Sequence, residues 1–478
     1  MVACIVILPV FASQISTLLT CPPAPASPIL QKLFMATIKP FAALRPRPGL
    51  AEKICELPYD VMSSEEAREI AAGNPLSFLR VSKPEIELPP GTDIYAPEVY
   101  TKGKENFQRL IADGALRQEA QPCFYLYRQV MGKHYQVGLV AVASCAEYVK
   151  GVVKRHELTR PDKEDDRVRH IETLNSQTGP VFLAYRAVPT LDALVTKTVA
   201  GKPDIDFSAA DGVRHTSWTI RDTATTQRIE QEFGRIPSLY IADGHHRCAA
   251  AARVYLKRKE TNPHPVPPLR DHPLPSGGGE TNPHPASGHP LPIGWGEGWG
   301  EGPNAYFLAV IFPHNQMQIL PYNRVLKDLN GIELEGLLQK LNAVFIIKAG
   351  GSGKPSRKHE LGLYLAGKWH ALNFRPRFAA TTDPIEKLDV TLLQKFVLDP
   401  IFGIADPRTS KRINFVGGIR GTAELEKLVN SGEYACAFSL FPTSIEDLMT
   451  VADAGGIMPP KSTWFEPKLR DGMFCHLI

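Results

Sequence analysis

No C-x-x-C pair occurs among the eight cysteines Cys4, Cys21, Cys55, Cys123, Cys145, Cys248, Cys436 and Cys475, which argues against a zinc ribbon and against a disulfide framework. A reducing cytoplasm is the expected setting. Charge of one sign is also missing. Lys and Arg number 54 against 50 Asp and Glu, and a net +4 over 478 residues gives no reason to expect a nucleic-acid partner. Apolar runs of membrane-spanning length are absent, so no membrane association is expected. The apolar start of Met1 to Phe34, with Leu18-Leu19-Thr20-Cys21, invites an export-signal reading, yet no Lys or Arg precedes the apolar run. Translation from Met35, whose Met-Ala-Thr-Ile-Lys-Pro-Phe reads as a first strand, competes with it.

What is present is ordinary globular material: 43% hydrophobic and 22% charged residues on a chain long enough for more than one lobe. One stretch stands apart. Glu260 to Pro303 packs 11 Pro and 9 Gly into 44 residues, and Glu-Thr-Asn-Pro-His-Pro occurs at both 260 and 280. A duplicated low-complexity tract explains it better than a folded module, because such a chain buries too little surface to offset its ordering entropy. Its His264, His272, His284 and His289 are read as surface histidines. The expected layout is an extension over 1–34, an N-terminal and catalytic lobe over 35–259, the insert over 260–303, and a lobe over 304–478 that completes the same globule.

Short β-rich runs at Cys123–Arg128, Tyr135–Val142, Tyr306–Phe312 and Arg412–Val416 alternate with helical patterns at Ser63–Ala72, Val390–Leu398 and Ala423–Asn430. Ser63 followed by Glu65 and Glu66 reads as a capped helix start. The fold class expected is α+β, mixed sheets with flanking helices.

The richest chemistry lies between Gly234 and Arg253, where a β-run, a tight Asp243-Gly244 turn and an Ala-rich helix starting near His246 follow one another. A helix start of this kind attracts anions through its free N–H groups and dipole. Gly244 lets the backbone approach closely, and Arg247 adds a fork of donors. His245 or His246 can donate to a phosphoryl oxygen or shuttle a proton. Asp243 can hold a divalent metal or simply cap the helix, in which case both histidines satisfy buried polar contacts.

A second cluster runs from Lys154 to His170. A solvated helical face is its default reading. His156-Glu157, however, follows the β-like stretch Tyr148–Val153, which places Glu157 at a strand end as a candidate base, with Lys154, Arg160 and Arg167 available for anionic groups. A third, Pro459 to Lys468, offers Lys461, Ser462, Thr463 and Lys468 for phosphate contact, or else packs as a tail on Trp464 and Phe465. Gly350–Ser356 fails as a P-loop, with Lys348 at the place of the opening Gly and Pro355 where Ser or Thr should hold magnesium. Gly296, Gly298 and Gly300 sit inside the repeat tract and make no dinucleotide fingerprint.

On Lys39-Pro-Phe41, Pro58-Tyr-Asp-Val61, His156-Glu-Leu-Thr-Arg160, Asp243-Gly-His-His-Arg247, Pro321-Tyr-Asn-Arg324 and Met458-Pro-Pro-Lys-Ser-Thr-Trp-Phe-Glu-Pro-Lys468, the chain from Met35 onward resembles the DUF1015 family. Members of that family are uncharacterised and often lie beside serine-pathway genes. The Asp243–Arg247 turn is also similar to the phosphate-binding turn of the ParB/sulfiredoxin superfamily, which includes free-serine kinases, sulfinic acid reductases and CTP-binding partition proteins. That resemblance implies a turn gripping donor phosphates and Glu157 activating an acceptor hydroxyl. Sulfiredoxin has its reactive Cys within the turn, where this chain has His245 and His246, with Cys248 beyond Arg247. Reductase chemistry is therefore disfavoured, and the small net charge disfavours DNA partitioning.

The function expected is phosphoryl transfer with Mg²⁺, from ATP, ADP or pyrophosphate, to a small hydroxylated metabolite, free L-serine first. A nucleotide-binding regulator without turnover and a phosphohydrolase using His245 or His246 are the alternatives.

Overall fold

The computed structural model describes residues 35–261, 302 and 305–478. The extension Met1–Phe34 lies outside the described residues, as does the repeat tract apart from Glu260, Thr261 and Gly302.

Nine strands make the larger sheet: β1 (Ile38–Lys39), β2 (Phe124–Met131), β3 (His134–Ser144), β4 (Val153–Lys154), β5 (Val181–Tyr185), β6 (Ile205–Ser208), β7 (Arg214–Ile220), β8 (Leu239–Asp243) and β9 (Tyr306–Pro313). Their order is β4-β8-β5-β9-β3-β2-β7-β6, with β1 added on β3. The sheet is mixed, since β8 runs parallel to β4 and β9 parallel to β5 while the other pairs are antiparallel. Every residue of β9 is buried, as its unbroken apolar run requires of a strand paired on both sides.

A second sheet, all antiparallel, contains β10 (Tyr322–Leu326), β11 (Phe345–Ala349), β12 (Glu360–Leu365), β13 (Lys368–Phe374), β14 (Ile413–Gly417) and β15 (Cys436–Leu440), in the order β11-β13-β12-β15-β10-β14. One buried apolar cluster takes Val140 and Ile311 from the first sheet and Leu363 and Phe438 from the second. The fold is α+β, as expected.

The helices include α1 (Ser64–Ile70), α2 (Cys145–Val149), α3 (Pro161–Leu174), α4 (His245–Thr261), α5 (Asp389–Leu393) and α6 (Gly421–Asn430). At the start of α1 the expected cap is a full capping box, Glu66 N–H donating to Ser63 Oγ and Ser63 N–H to the Glu66 carboxylate. The stretch Tyr148–Val153 is a correction: Tyr148 and Val149 belong to α2, and only Val153–Lys154 is strand. Ser144 accepts from Glu147 N–H at 3.3 Å and starts that helix, and Gly151, at φ +79°, turns the chain back toward β4. The charged cluster from Pro161 onward is α3, pinned along α4 by Arg253–Asp165 and Lys257–Glu172, both at 2.7 Å.

The C-terminal segment is woven into both sheets' surroundings. Trp464–Glu466 pairs with Gln318–Leu320, Asp471 bridges to Glu56, Cys475 bridges to Leu44, and Met473, Phe474 and Cys475 are fully buried. Among the described residues no helix is long and apolar enough to cross a membrane.

Candidate active site

The site grows from β8. Leu239 and Tyr240 pair in parallel with Val153 and Lys154 of β4, so the loop leaving β4, with His156 and Glu157, emerges beside the Asp243–Arg247 turn. Gly244 joins strand to helix at φ +93°, a conformation L side chains rarely adopt, and an added Cβ would sit 3.4 Å from Val181 Cα. Helix α4 begins at His245, one residue earlier than expected.

Asp243 does not act as a simple cap. Its Oδ1 accepts from Gly244 N–H at 2.8 Å and its Oδ2 from Lys468 Nζ at 2.9 Å. Burial opposes ionisation of this carboxyl, but the Lys468 and Arg247 charges outweigh it and hold the group well below the usual carboxylate range. The same pairing raises Lys468 against its own burial.

Arg247 is buried and partnered within the protein: it donates to Pro180 O at 2.8 Å and to the Asp60 carboxylate at 3.2 and 3.3 Å. Its Nε has no partner, and neither has Oδ1 of buried Asp471. Both residues line a cavity with about 30 Å³ of space for water, together with Tyr59, Arg167, His170 and Thr178. A Cβ on Gly179 would come 2.9 Å from Asp471 Oδ1. Burial pushes the Asp471 carboxyl up to about 7, although Arg247 pulls the other way. Arg167 binds Asp166 and stacks over the Tyr59 ring at 3.8 Å.

The two histidines separate in role. His246 Nε2 accepts from Arg160 N–H at 3.0 Å and so fixes the loop after Glu157. His245 is buried, with its ring edge-on to His156 at 4.6 Å between centroids and its Nδ1 3.9 Å from Glu157 Oε2. Burial depresses both His245 and His156, the latter to about 4, so each imidazole is neutral near pH 7. Glu157 is 47% exposed along its side chain. Its carboxyl is raised by desolvation, with Lys461 opposing.

The remaining expected residues fall in three places. Lys461 comes close enough to act on Glu157 and lies over the Tyr322 ring at 5.4 Å. Ser462 Oγ donates to Pro459 O at 2.6 Å, while Thr463 beside it is half-buried. Lys154 turns to Asp453, which also takes Arg186 and the Tyr240 hydroxyl, and the Arg160 guanidinium pairs with Asp162 at the surface. The Met458 N–H to His156 O bond, at 2.8 Å, stitches the C-terminal motif to the Glu157 loop. Asp60, Asp471 and His156 were not among the expected site residues. The Pro58-Tyr-Asp-Val61 motif was the signal available for the first, and its partner Arg247 lies too far along the chain for spacing to reveal.

Cys248 is fully buried and its thiol is pushed well up by desolvation, so it is no thiolate nucleophile. Side chains that could hold a metal ion gather at His156, Glu157 and His245 among the described residues.

No curated protein matches the sequence. Among solved structures, a free serine kinase in complex with AMP overlaps 68% of this chain and 86% of its own, with TM-score 0.30 and 12% identity. A conserved hypothetical protein from Pyrococcus furiosus overlaps 72% and 96%, with TM-score 0.30 and 12% identity. SbnI with a C-terminal truncation, from Staphylococcus aureus, overlaps 70% and 85%, with TM-score 0.34 and 9% identity. Overlaps this loose carry no argument about chemistry. The family model described as a protein of unknown function, DUF1015, matches residues 38–391, well over half of the sequence, and the chain belongs to that family.

Proposed function

We propose that this protein is a phosphotransferase that moves a phosphoryl group from ATP, ADP or pyrophosphate to the hydroxyl of a small metabolite. The observation that carries the reading is the half-exposed carboxylate of Glu157 beside the glycine-hinged start of α4. A helix start offers N–H donors and positive potential to a donor phosphate, and a carboxyl raised above its ordinary value is better suited to accept a hydroxyl proton near neutral pH. In the transfer the acceptor oxygen bonds to phosphorus, the bond to the leaving phosphate breaks, and Glu157 receives the hydroxyl proton.

Arg247 and Lys468 support the turn by holding Asp60 and Asp243 in place, while the Lys461 ammonium acts on the base. Mg²⁺ is expected to travel on the donor phosphates and neutralise their charge. Asp243 is the carboxylate at the turn, but both its oxygens already accept hydrogen bonds, so it fits a water-bridged ion better than direct ligation. Free L-serine is the first acceptor to try, suggested by the family resemblance. Small metabolites in the cytoplasm are the proposed partners.

Incubating the protein with serine and each donor, and following O-phosphoserine, tests the proposal. Glu157→Gln is expected to abolish turnover and spare donor binding; full activity in that variant would remove Glu157 from its role. Nucleotide binding without product from any donor would favour a regulator, and release of phosphate independent of acceptor would favour a hydrolase.

A further inference from the structure

We infer that His156, Glu157 and His245 form a binding site for a divalent transition ion of the zinc type, separate from any magnesium carried by a nucleotide. Two chain segments supply it, the loop after β4 and the first residue of α4, and they are held together by the β4–β8 pairing and by Met458 N–H on His156 O. One ligand atom from each residue lies within 4.8 Å of the others. An ion about 2.0–2.2 Å from nitrogen and oxygen ligands needs them roughly 3.4 Å apart in a tetrahedral arrangement. The 3.9 Å from His245 Nδ1 to Glu157 Oε2 is already near that spacing, and the half-exposed Glu157 side chain has room to close the rest. His245 Nε2 accepts a long 3.5 Å bond from His156 N–H, so ligation through Nδ1 moves the ring proton to Nε2 and gives up that weak bond.

A second observation points the same way. His156 is 2% exposed and its Nδ1 is a buried nitrogen with no partner, while its ring also interacts with the backbone of Ile241. A buried polar atom left unpaired costs free energy and calls for an explanation such as a bound ion. An imidazole with one nitrogen on a backbone carbonyl and the other open is the usual posture of a metal ligand. Two imidazoles and one carboxylate are the ligand set of catalytic sites that keep a position open, and imidazole nitrogens select zinc, cobalt, nickel or iron over magnesium. The negative charge of Asp243 acts on both rings, with the Lys461 ammonium as the opposing charge at Glu157. Glu157 borders solvent, so a hydroxyl or phosphoryl oxygen could reach an ion held there.

This is a state of the site distinct from the phosphotransfer reading, because Glu157 is not available as the base while its carboxylate holds the ion, and ion binding can be read without turnover. The test uses the full chain stripped with chelator and titrated with Co²⁺, followed by calorimetry with Zn²⁺. One equivalent with an absorption spectrum of low-coordinate cobalt is expected. His245→Asn and Glu157→Gln should each weaken binding about tenfold or more, and Glu157→Gln changes a half-exposed side chain that the fold tolerates. A variant with His264, His272, His284 and His289 all changed to Ala should bind as the parent does. Absence of binding, or binding that survives both site variants and is lost with those four histidines, overturns the assignment. A missing O-phosphoserine product with intact cobalt binding would instead count only against the phosphotransfer reading.

Discussion

His215 illustrates how much a single buried side chain is told by its neighbours. Arg470 Nε lies 3.1 Å from its Nε2 and Tyr127 Oη 2.7 Å from its Nδ1. A guanidinium can only donate, so Nε2 carries the lone pair, Nδ1 carries the proton, and the Tyr127 oxygen accepts. Burial, aided by Arg470, holds this histidine down at about 2. Asp471, the residue after Arg470, is displaced in the opposite sense, up to about 7 by burial. Between its unfolded value near 4 and that folded value the native state holds the extra proton, so the contribution to stability falls as pH rises, and the full penalty applies above 7. A rise from near 4 to about 7 corresponds to roughly 4 kcal/mol. Asp471→Asn removes the titration: it should melt higher than the parent at pH 8, with the difference shrinking toward nothing at pH 4. A difference that stays constant across that range would contradict the assignment. His170, lowered to about 4 by burial, tilts the parent curve the other way between pH 4 and 6.5. The parent-to-variant difference therefore isolates the aspartate.

At the scale of elements the strand-turn-helix from Leu239 to Thr261 has one hinge, Gly244. Gly244→Ala forces a Cβ into φ +93° and against Val181, a strain of about 1–3 kcal/mol. It should lower the melting temperature and weaken donor binding together. Arg247→Ala has a different signature. It removes the bonds to Asp60 and Pro180, costs on the order of 2 kcal/mol by loss of charged hydrogen bonds, and should reduce donor affinity by freeing the Tyr59–Val61 turn. Calorimetry on both variants, with and without donor, separates the two effects.

This turn was legible in the sequence because everything that makes it is local: an apolar run, a glycine and an alanine-rich helix lie within some twenty residues. The Ser63 cap was legible for the same reason. The helix Cys145–Val149 was not, because Tyr148 and Val149 have strand-like side chains while Ser144, which starts the helix, lies just outside the run. Nor could spacing reveal that Lys468 would be taken by Asp243, or Arg247 by Asp60, since those contacts depend on how distant segments meet.

Across the whole molecule the candidate site is a meeting of four separated motifs: Tyr59–Asp60, His156–Arg160, Asp243–Arg247 and Met458–Lys468. The last of these motifs begins the segment whose end, Met473–Cys475, is fully buried in the apolar interior. A chain truncated before Met458 loses Lys468 from Asp243, Arg470 from His215 and the core side chains of Met458, Phe465, Leu469, Met473, Phe474 and Cys475 at once. It should bind a hydrophobic dye strongly and show no single cooperative melt, whereas a sharp parent-like transition would mean the two sheets stand without that segment.

The bond from Met458 to the carbonyl of His156 also sets an order in time. During synthesis Asp243, Glu157 and both histidines leave the ribosome long before the lysine that neutralises Asp243 exists. The turn can form early, but the lysine share of its charge balance waits for the Met458–Lys468 stretch, so a nascent chain should be inert until that stretch has emerged and docked.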